Sequence, residues 1–238
     1  MSSPIDSRIS PALDPETYRS VEGYTDDTRM FVDDVVNAFN DIYVTLGKIH
    51  DARVLADSNP AWTPENRILI VSREAAKQRE RVLTRLARAE RDLRARIAHT
   101  EGELSRPLTE RAGMGTLNGE VRAHVKALDR PEREAFMREA LEQDDVPTLE
   151  AVLGGQPFLS GLTPLDHEHY VRLFHTKKNP HLVVRLDVMR RFLGMVERNG
   201  PVVHLQFDKA TGAQPNAVRA IHAANDRAMA ALKIEPTG

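Results

Sequence analysis

The 238-residue chain contains no cysteine. That absence removes disulfides, thiolate nucleophiles and cysteine-ligated zinc together, and it fits a soluble protein of a reducing compartment. Aromatic residues are scarce at 5%, which speaks against a large β-sandwich, whose strands use Tyr, Trp and Phe freely. Long apolar runs are missing too. Runs such as 68–71 span four or five residues, against the ~20 that a membrane span requires. The sequence opens MSSPIDSRIS without the apolar core of a secretory signal, so none is expected. Nor does charge of one sign dominate. Lys and Arg number 33 against 35 Asp and Glu, a formal charge of −2, and no global attraction to nucleic acid or an anionic membrane follows. What is present is 41% hydrophobic and 29% charged residues, in a chain long enough for one large domain or two modest ones.

The pattern along the chain is helical. Residues 1–24 carry Pro4, Pro11 and Pro15, several serines and no helical period, so they read as an extended arm that is disordered when the protein is alone. Thr25, Asp26 and Asp27 suit a helix start. Behind them Val32, Val35, Phe39, Ile42, Leu46 and Ile49 recur at alternating spacings of 3 and 4, an a/d coiled-coil seam on a helix over 26–56. Pro60 and Pro64 break it, and Thr63-Pro64 restarts a helix over 64–104 with a thinner seam of Ile68, Val71, Ala75, Val82, Leu86, Ala89, Leu93 and Ile97. The short break predicts an antiparallel hairpin. Residues 106–118, with Pro107, Gly113 and Gly115, read as a linker.

Beyond the linker the helices shorten. Asn118 is a candidate cap, Asp129 with Glu132 resembles a capping box, 147–153 forms a short helix stopped by Gly154-Gly155, and Thr163-Pro164 and Asn179-Pro180 start two more. The second of these is expected to stop at Asn199-Gly200-Pro201. The segment VVHLQF (202–207) is the one plausible strand, and a final helix covers 215–232. The fold class is therefore all-α: an arm (1–24), a helical hairpin (25–105), a linker (106–118) and a compact multi-helix domain (119–238). The expected core of that domain includes Val121, Val125, Phe136, Leu141, Leu153, Phe174, Leu186, Met189 and Leu193.

The residues that carry chemistry are sparse. His167-Glu168-His169 looks metal-like, but histidines two apart point about 200° from each other around a helix, unlike the i, i+4 pair of HExxH. His167 and His175 share a face without a third ligand at matching spacing. The glycines of AGMGTLNG (112–119) follow a helix and miss the dinucleotide spacing, VLGGQPFLSG lacks the lysine of a P-loop, and no G-x-S-x-G occurs. No catalytic, cofactor-binding or metal-binding set is assigned, and the chain reads as non-enzymatic.

Charge is more informative. Residues 1–60 hold 5 basic and 11 acidic side chains, whereas 64–106 hold 11 basic and 7 acidic. Arg73, Lys77, Arg81, Arg85 and Arg88 form one stripe along the second long helix. Such a stripe can track phosphates with strong salt dependence. It can equally be neutralised by the acidic first helix lying beside it, and no aromatic residue interleaves it to stack on bases.

The runs GEVRAHVKALDRPEREAFMREAL, AVLGGQPFLSGLTP and RLDVMRRFLGMVERNGPV, within 119–202, resemble a group of proteins encoded by tailed phages and prophages of proteobacteria. The resemblance implies a virion or assembly protein and brings no active site with it. The function expected is a structural component of a tailed-phage particle (a connector, adaptor, internal or capsid-associated protein) acting in many copies, in the virion and, during assembly, in the host cytoplasm. Its partners are then other virion proteins and copies of itself, with no membrane; nucleic acid held by the arginine stripe is the alternative. The candidate partner-binding residues are Ile5, Ile9, Leu13 and Tyr18 of the arm and Val32, Val35, Phe39, Ile42, Leu46 and Ile49 of the seam. Deleting residues 1–20 is expected to leave the isolated helical fold nearly unchanged while abolishing incorporation into the assembly.

Overall fold

The periodic segments of the sequence are helices in the computed structural model, which describes residues 6–110 and 113–232. Of these, 79% are helical and none is in a strand. The elements are α1 (Pro15–Arg19), α2 (Arg29–Asp57), α3 (Pro64–Leu104), α4 (Gly115–Ala127), α5 (Arg130–Glu142), α6 (Val146–Leu153), α7 (Pro164–Lys178), α8 (Pro180–Ala210) and α9 (Pro215–Ala231), with short 3-10 turns at Pro11–Leu13 and Pro157–Leu159. They divide into two compact units, one of 1–94 with 188–238 and one of 95–187. The boundaries fall inside α3 and inside α8, so residues 119–238 are shared between the units.

In the first unit, α2 and α3 run antiparallel. Arg81 of α3 reaches the Thr45 hydroxyl at 3.4 Å and Arg85 pairs with Asp41, so numbering rises on one helix as it falls on the other. Thr63 starts α3 as expected: its hydroxyl accepts the Asn66 N–H at 3.3 Å. Every seam residue of α2 from Val32 to Ile49 is buried, each worth about 1.5–3 kcal/mol of transfer free energy.

Two helices leave that seam half-covered, and α8 supplies the rest. Its inner face runs Met189, Phe192, Val196, Asn199, Val203, Gln206, Ala210, all buried, at alternating spacings of 3 and 4. That period corrects the expectations of a stop at Asn199-Gly200-Pro201 and of a strand over 202–207. Pro201 lies inside the helix, where it removes one hydrogen bond, while the buried face continues across it. Phe192 is buried in place of Leu193, which is half-exposed.

Residues 6–24 are not an extended tail. The 3-10 turn and α1 lay Ile9, Leu13 and Tyr18 into the first unit. We call residues 6–19 the strap. Deleting it exposes buried apolar side chains, so a nearly unchanged fold is no longer the expectation.

The second unit is built on α4 to α7. Its core joins Leu108, Val125, Met137, Leu141, Leu149, Val152, Leu153, Leu162 and Val171, with Val121, Phe136, Tyr170 and Phe174 packed half-buried against it. Asp129 and Glu132 form the expected capping box on α5, and Thr163 with Asp166 forms another on α7. Helix α4 starts at Gly115, before Asn118, which is buried. Gly154 after α6 is obligatory for a different reason from turn conformation. A Cβ there would lie 2.6 Å from the Glu150 carbonyl oxygen and 2.7 Å from the Glu110 backbone nitrogen.

Arg133 holds these pieces together. Its guanidinium donates to the carbonyls of Val125 (3.0 Å), Lys126 (3.3 Å) and Leu128 (2.7 Å) at the end of α4, and to that of Gly161 (2.6 Å) before α7. Helix ends leave carbonyls without partners, and one side chain here serves several of them. Replacing it by an apolar chain of similar length, Arg133→Met, removes all four bonds at once. The expected loss is about 3 kcal/mol of unfolding free energy, read as a lowered midpoint in denaturant unfolding followed by circular dichroism.

Candidate functional site

The side chains proposed for partner binding turn out to build a groove that the chain itself fills. Ile5 lies outside the described residues. Ile9, Leu13, Tyr18, Val32, Val35, Phe39, Ile42, Leu46 and Ile49 are all buried within the first unit, so they form its core and offer no free surface in this conformation. The groove lies between α2 and α8, and the strap is its occupant. The Tyr18 ring stacks on Phe39 with centroids 4.2 Å apart and meets Phe192 at 6.4 Å, and Tyr24 reaches Phe192 at 5.9 Å.

Polar groups on the groove read the strap backbone. The Asn199 amide donates to the Ala12 carbonyl at 3.0 Å and to the Tyr18 hydroxyl oxygen at 2.7 Å. The Gln206 carbonyl accepts the Ser10 N–H at 3.2 Å, and the Tyr43 hydroxyl accepts the Asp6 N–H at 2.7 Å. Burial pushes the Tyr18 phenol above its ordinary pKa. Arg8 closes the start of the strap, bonding Asp6 at 2.6 Å and Asp51 of α2 at 2.7 Å. The Arg8 hydrogen bond brings the Asp6 carboxyl down to about 2.

His50 lies beneath that end of the strap. It is 5% exposed, and neither ring nitrogen has a hydrogen-bond partner among the described residues. Asp6 and Arg8 face it from the strap, and Asp51 and Arg53 from its own helix. Burial lowers its pKa, reinforced by Arg8 and Arg53 and opposed by the two carboxylates. Nothing in the sequence signals this, because a single histidine on a helix face looks the same whether buried or not.

The arginine stripe is divided. Arg85 pairs with Asp41, Arg81 reaches Thr45, and Arg88 lies 3.7 Å from Asp92 on its own helix. Arg73 and Lys77 are exposed and make no ion pair among the described residues. Glu74, between them in sequence, accepts from the Gln78 amide at 2.6 Å.

A cleft of about 280 Å³ opens in the first unit between α3, the end of α8 and α9, lined by Ala75, Arg79, Phe207 and Val218 among others. At its edge the Ser72 hydroxyl and His222 Nε2 are 2.7 Å apart. Ser72 is also 3.3 Å from the Leu69 carbonyl, and no carboxylate bonds the imidazole among the described residues. The pair ties α9 to α3. In the second unit His167 donates to the Leu153 carbonyl at 2.9 Å and His175 to that of Arg106 at 2.6 Å; a carbonyl only accepts, so both Nε2 atoms carry hydrogen. His169 meets the Tyr170 ring edge-on. Among the described residues no group of three or more His, Asp or Glu is placed to hold a metal ion.

Comparison with protein-family models, with curated proteins and with solved structures finds no match.

Two outcomes test the groove. Asn199→Leu keeps the side-chain volume, takes from the Tyr18 hydroxyl oxygen its donor and leaves the Ala12 carbonyl only the longer bond from that hydroxyl at 3.3 Å, so unfolding free energy should fall by about 2 kcal/mol. Denaturant titration beside the wild-type chain measures it. The second outcome concerns pH. Folded His50 titrates below the ordinary value of 6.5, so the unfolded chain takes up the proton first. The stability this gives is complete above pH ~6.5 and is lost as pH falls below it. Unfolding midpoints taken between pH 7.5 and ~5 should decline, and the decline should be shallower in His50→Leu.

Proposed function

We propose that this chain is a non-enzymatic structural component of a tailed-phage particle, a connector, adaptor, internal or capsid-associated protein present in many copies. The observation that carries the reading is the pattern of helices and loops within 119–202, which resembles phage-encoded virion and assembly proteins. Two further features support it. The polar groups that look most chemical serve the fold: His167 and His175, conspicuous in the sequence, bond helix-end and loop carbonyls, and Ser72, which the sequence does not mark, bonds His222 of a neighbouring helix. Both units also present large apolar side chains to solvent, among them Phe158 (65% exposed) and Leu165 (75%) in the second and Leu55 (71%) in the first. Exposed apolar groups of this size suit contacts with neighbours in an assembly.

A second reading, nucleic-acid binding, is favoured by one observation: Arg73 and Lys77 stand exposed at one end of the stripe, with no ion pair among the described residues. Against it, Arg85 is already paired with Asp41, and two cations make a small electrostatic footprint.

Mass spectrometry of purified particles from a host carrying the encoding phage or prophage tests the first reading. The chain should be found at many copies per particle; its absence from particles and from assembly intermediates would sink the proposal. Duplex-DNA binding by the purified chain tests the second. The structural reading expects no binding at physiological salt and no change in Arg73→Ala/Lys77→Ala. Binding that falls steeply with salt and weakens in that variant would favour nucleic acid instead.

A further inference from the structure

We propose that the strap is exchangeable, so that residues 6–19 of one copy dock in the α2–α8 groove of a second copy. The proposal rests on the reading that the protein acts in many copies, and it names the contact through which those copies join.

The groove is specific for this segment. Asn199 and Gln206 meet the backbone at Ala12 and Ser10, Tyr43 meets it at Asp6, and Phe39 and Phe192 enclose Tyr18. An empty groove would expose those rings and strip the two buried amides of their partners. An identical strap from another copy restores every one of these contacts, because strap and groove belong to the same sequence. Exchange therefore keeps every strap–groove contact and alters only those of the connecting turns, such as Tyr24 on Phe192; regaining the same contacts from a second copy is the general condition for swapping an element between protomers.

The connection between strap and α2 is of the right kind. Residues 20–28 contain no helix and no strand, only turns, and Gly23 sits at φ +88°, a conformation glycine adopts freely. A change of dihedrals there redirects the strap and leaves α2 as it is. The start of the strap also has a place to open. Beneath Asp6 and Arg8 lies the His50 ring, whose nitrogens have no partner among the described residues, and lifting the first residues of the strap gives those nitrogens water. The end farthest from the connection is thus held above a group that gains from its release.

The absence of cysteine makes the test clean. A variant carrying Arg8→Cys and Asp51→Cys places two thiols where an exposed ion pair now joins strap to α2; exposed pairs of this kind contribute little to stability. Equal amounts of 15N-labelled and unlabelled full-length variant are mixed at high concentration, incubated, and treated with a short bismaleimide. Circular dichroism first establishes that helix content matches the parent chain. Mass spectrometry then reads the cross-linked peptide pairs between strap and α2. Exchange predicts mixed-label pairs, absent at the moment of mixing and rising toward random reassortment. Pairs in which both peptides carry the same label at every time would overturn the proposal. Absence of any strap–α2 pair would also overturn it, since the strap would not occupy the groove at all. None of these outcomes depends on a particle, so a failure of exchange is distinguishable from a failure of the virion reading.

Discussion

The hydrogen bonds of Asn199 tie the two ends of the sequence into one core. Its buried amide reaches the Ala12 carbonyl and the Tyr18 hydroxyl, across 187 and 181 residues of chain. A carbonyl and a phenol at such a site need a donor when water is excluded. With it in place Tyr18 can stack on Phe39, and the α2 seam, which α3 covers on one side only, is closed by α8 and the strap together. Gln206 repeats the device seven residues along the same face of α8. The groove is therefore a polar template set in an apolar trough. The apolar contacts drive burial, and the amides fix which backbone fits and in which register.

The second unit solves a related problem with charge. Short helices such as α4 (13 residues) and α6 (8 residues) have a large share of their backbone groups at their ends. Arg133, His167 and Lys177 each spend a side chain on such carbonyls; Lys177 reaches those of Leu141 and Glu142 at the end of α5. Helix α5 itself ends with Asp144 at φ +59°. The Asp145 N–H returns to the Ala140 carbonyl at 2.9 Å and the Asp144 N–H to that of Leu141 at 3.3 Å, the bonding of a Schellman motif with aspartate where glycine is usual.

Much of this was legible in the sequence, and the reasons differ by element. The α2 seam and the Thr63-Pro64 start of α3 could be read because period, cap and proline agree, and local signals that agree are the ones a sequence displays. The end of α8 could not. Asn199 and Gln206 occupy core positions, so an apolar count breaks where the buried face in fact continues, and Asn-Gly-Pro then imitates a helix stop. Those two residues are polar because they serve the strap, and the strap is hard to read for the complementary reason: prolines and serines suggest an unstructured arm unless their backbone partners, nearly 200 residues away, are known. The same coupling hid the site. The seam residues show in the sequence as an apolar face, while the segment that packs on Phe39 lies at 6–19 and carries no matching period. His50, Arg133 and the Ser72–His222 pair carry no local signature, since a single polar residue reveals its role only through what folds against it.

The fold uses its polar groups to hold itself together. Where carbonyls, hydroxyls and imidazoles converge, they join pieces of the chain, and what the first unit holds most specifically is a segment of polypeptide. The central claim is that this segment belongs to the folded core rather than to a free arm. Native-state hydrogen exchange of the purified chain at neutral pH tests it most directly. The amides of Ser10, Leu13 and Tyr18 should be protected alongside those of α2 and α8; exchange of these amides at the rate of an unstructured peptide, while α2 stays protected, would contradict the account.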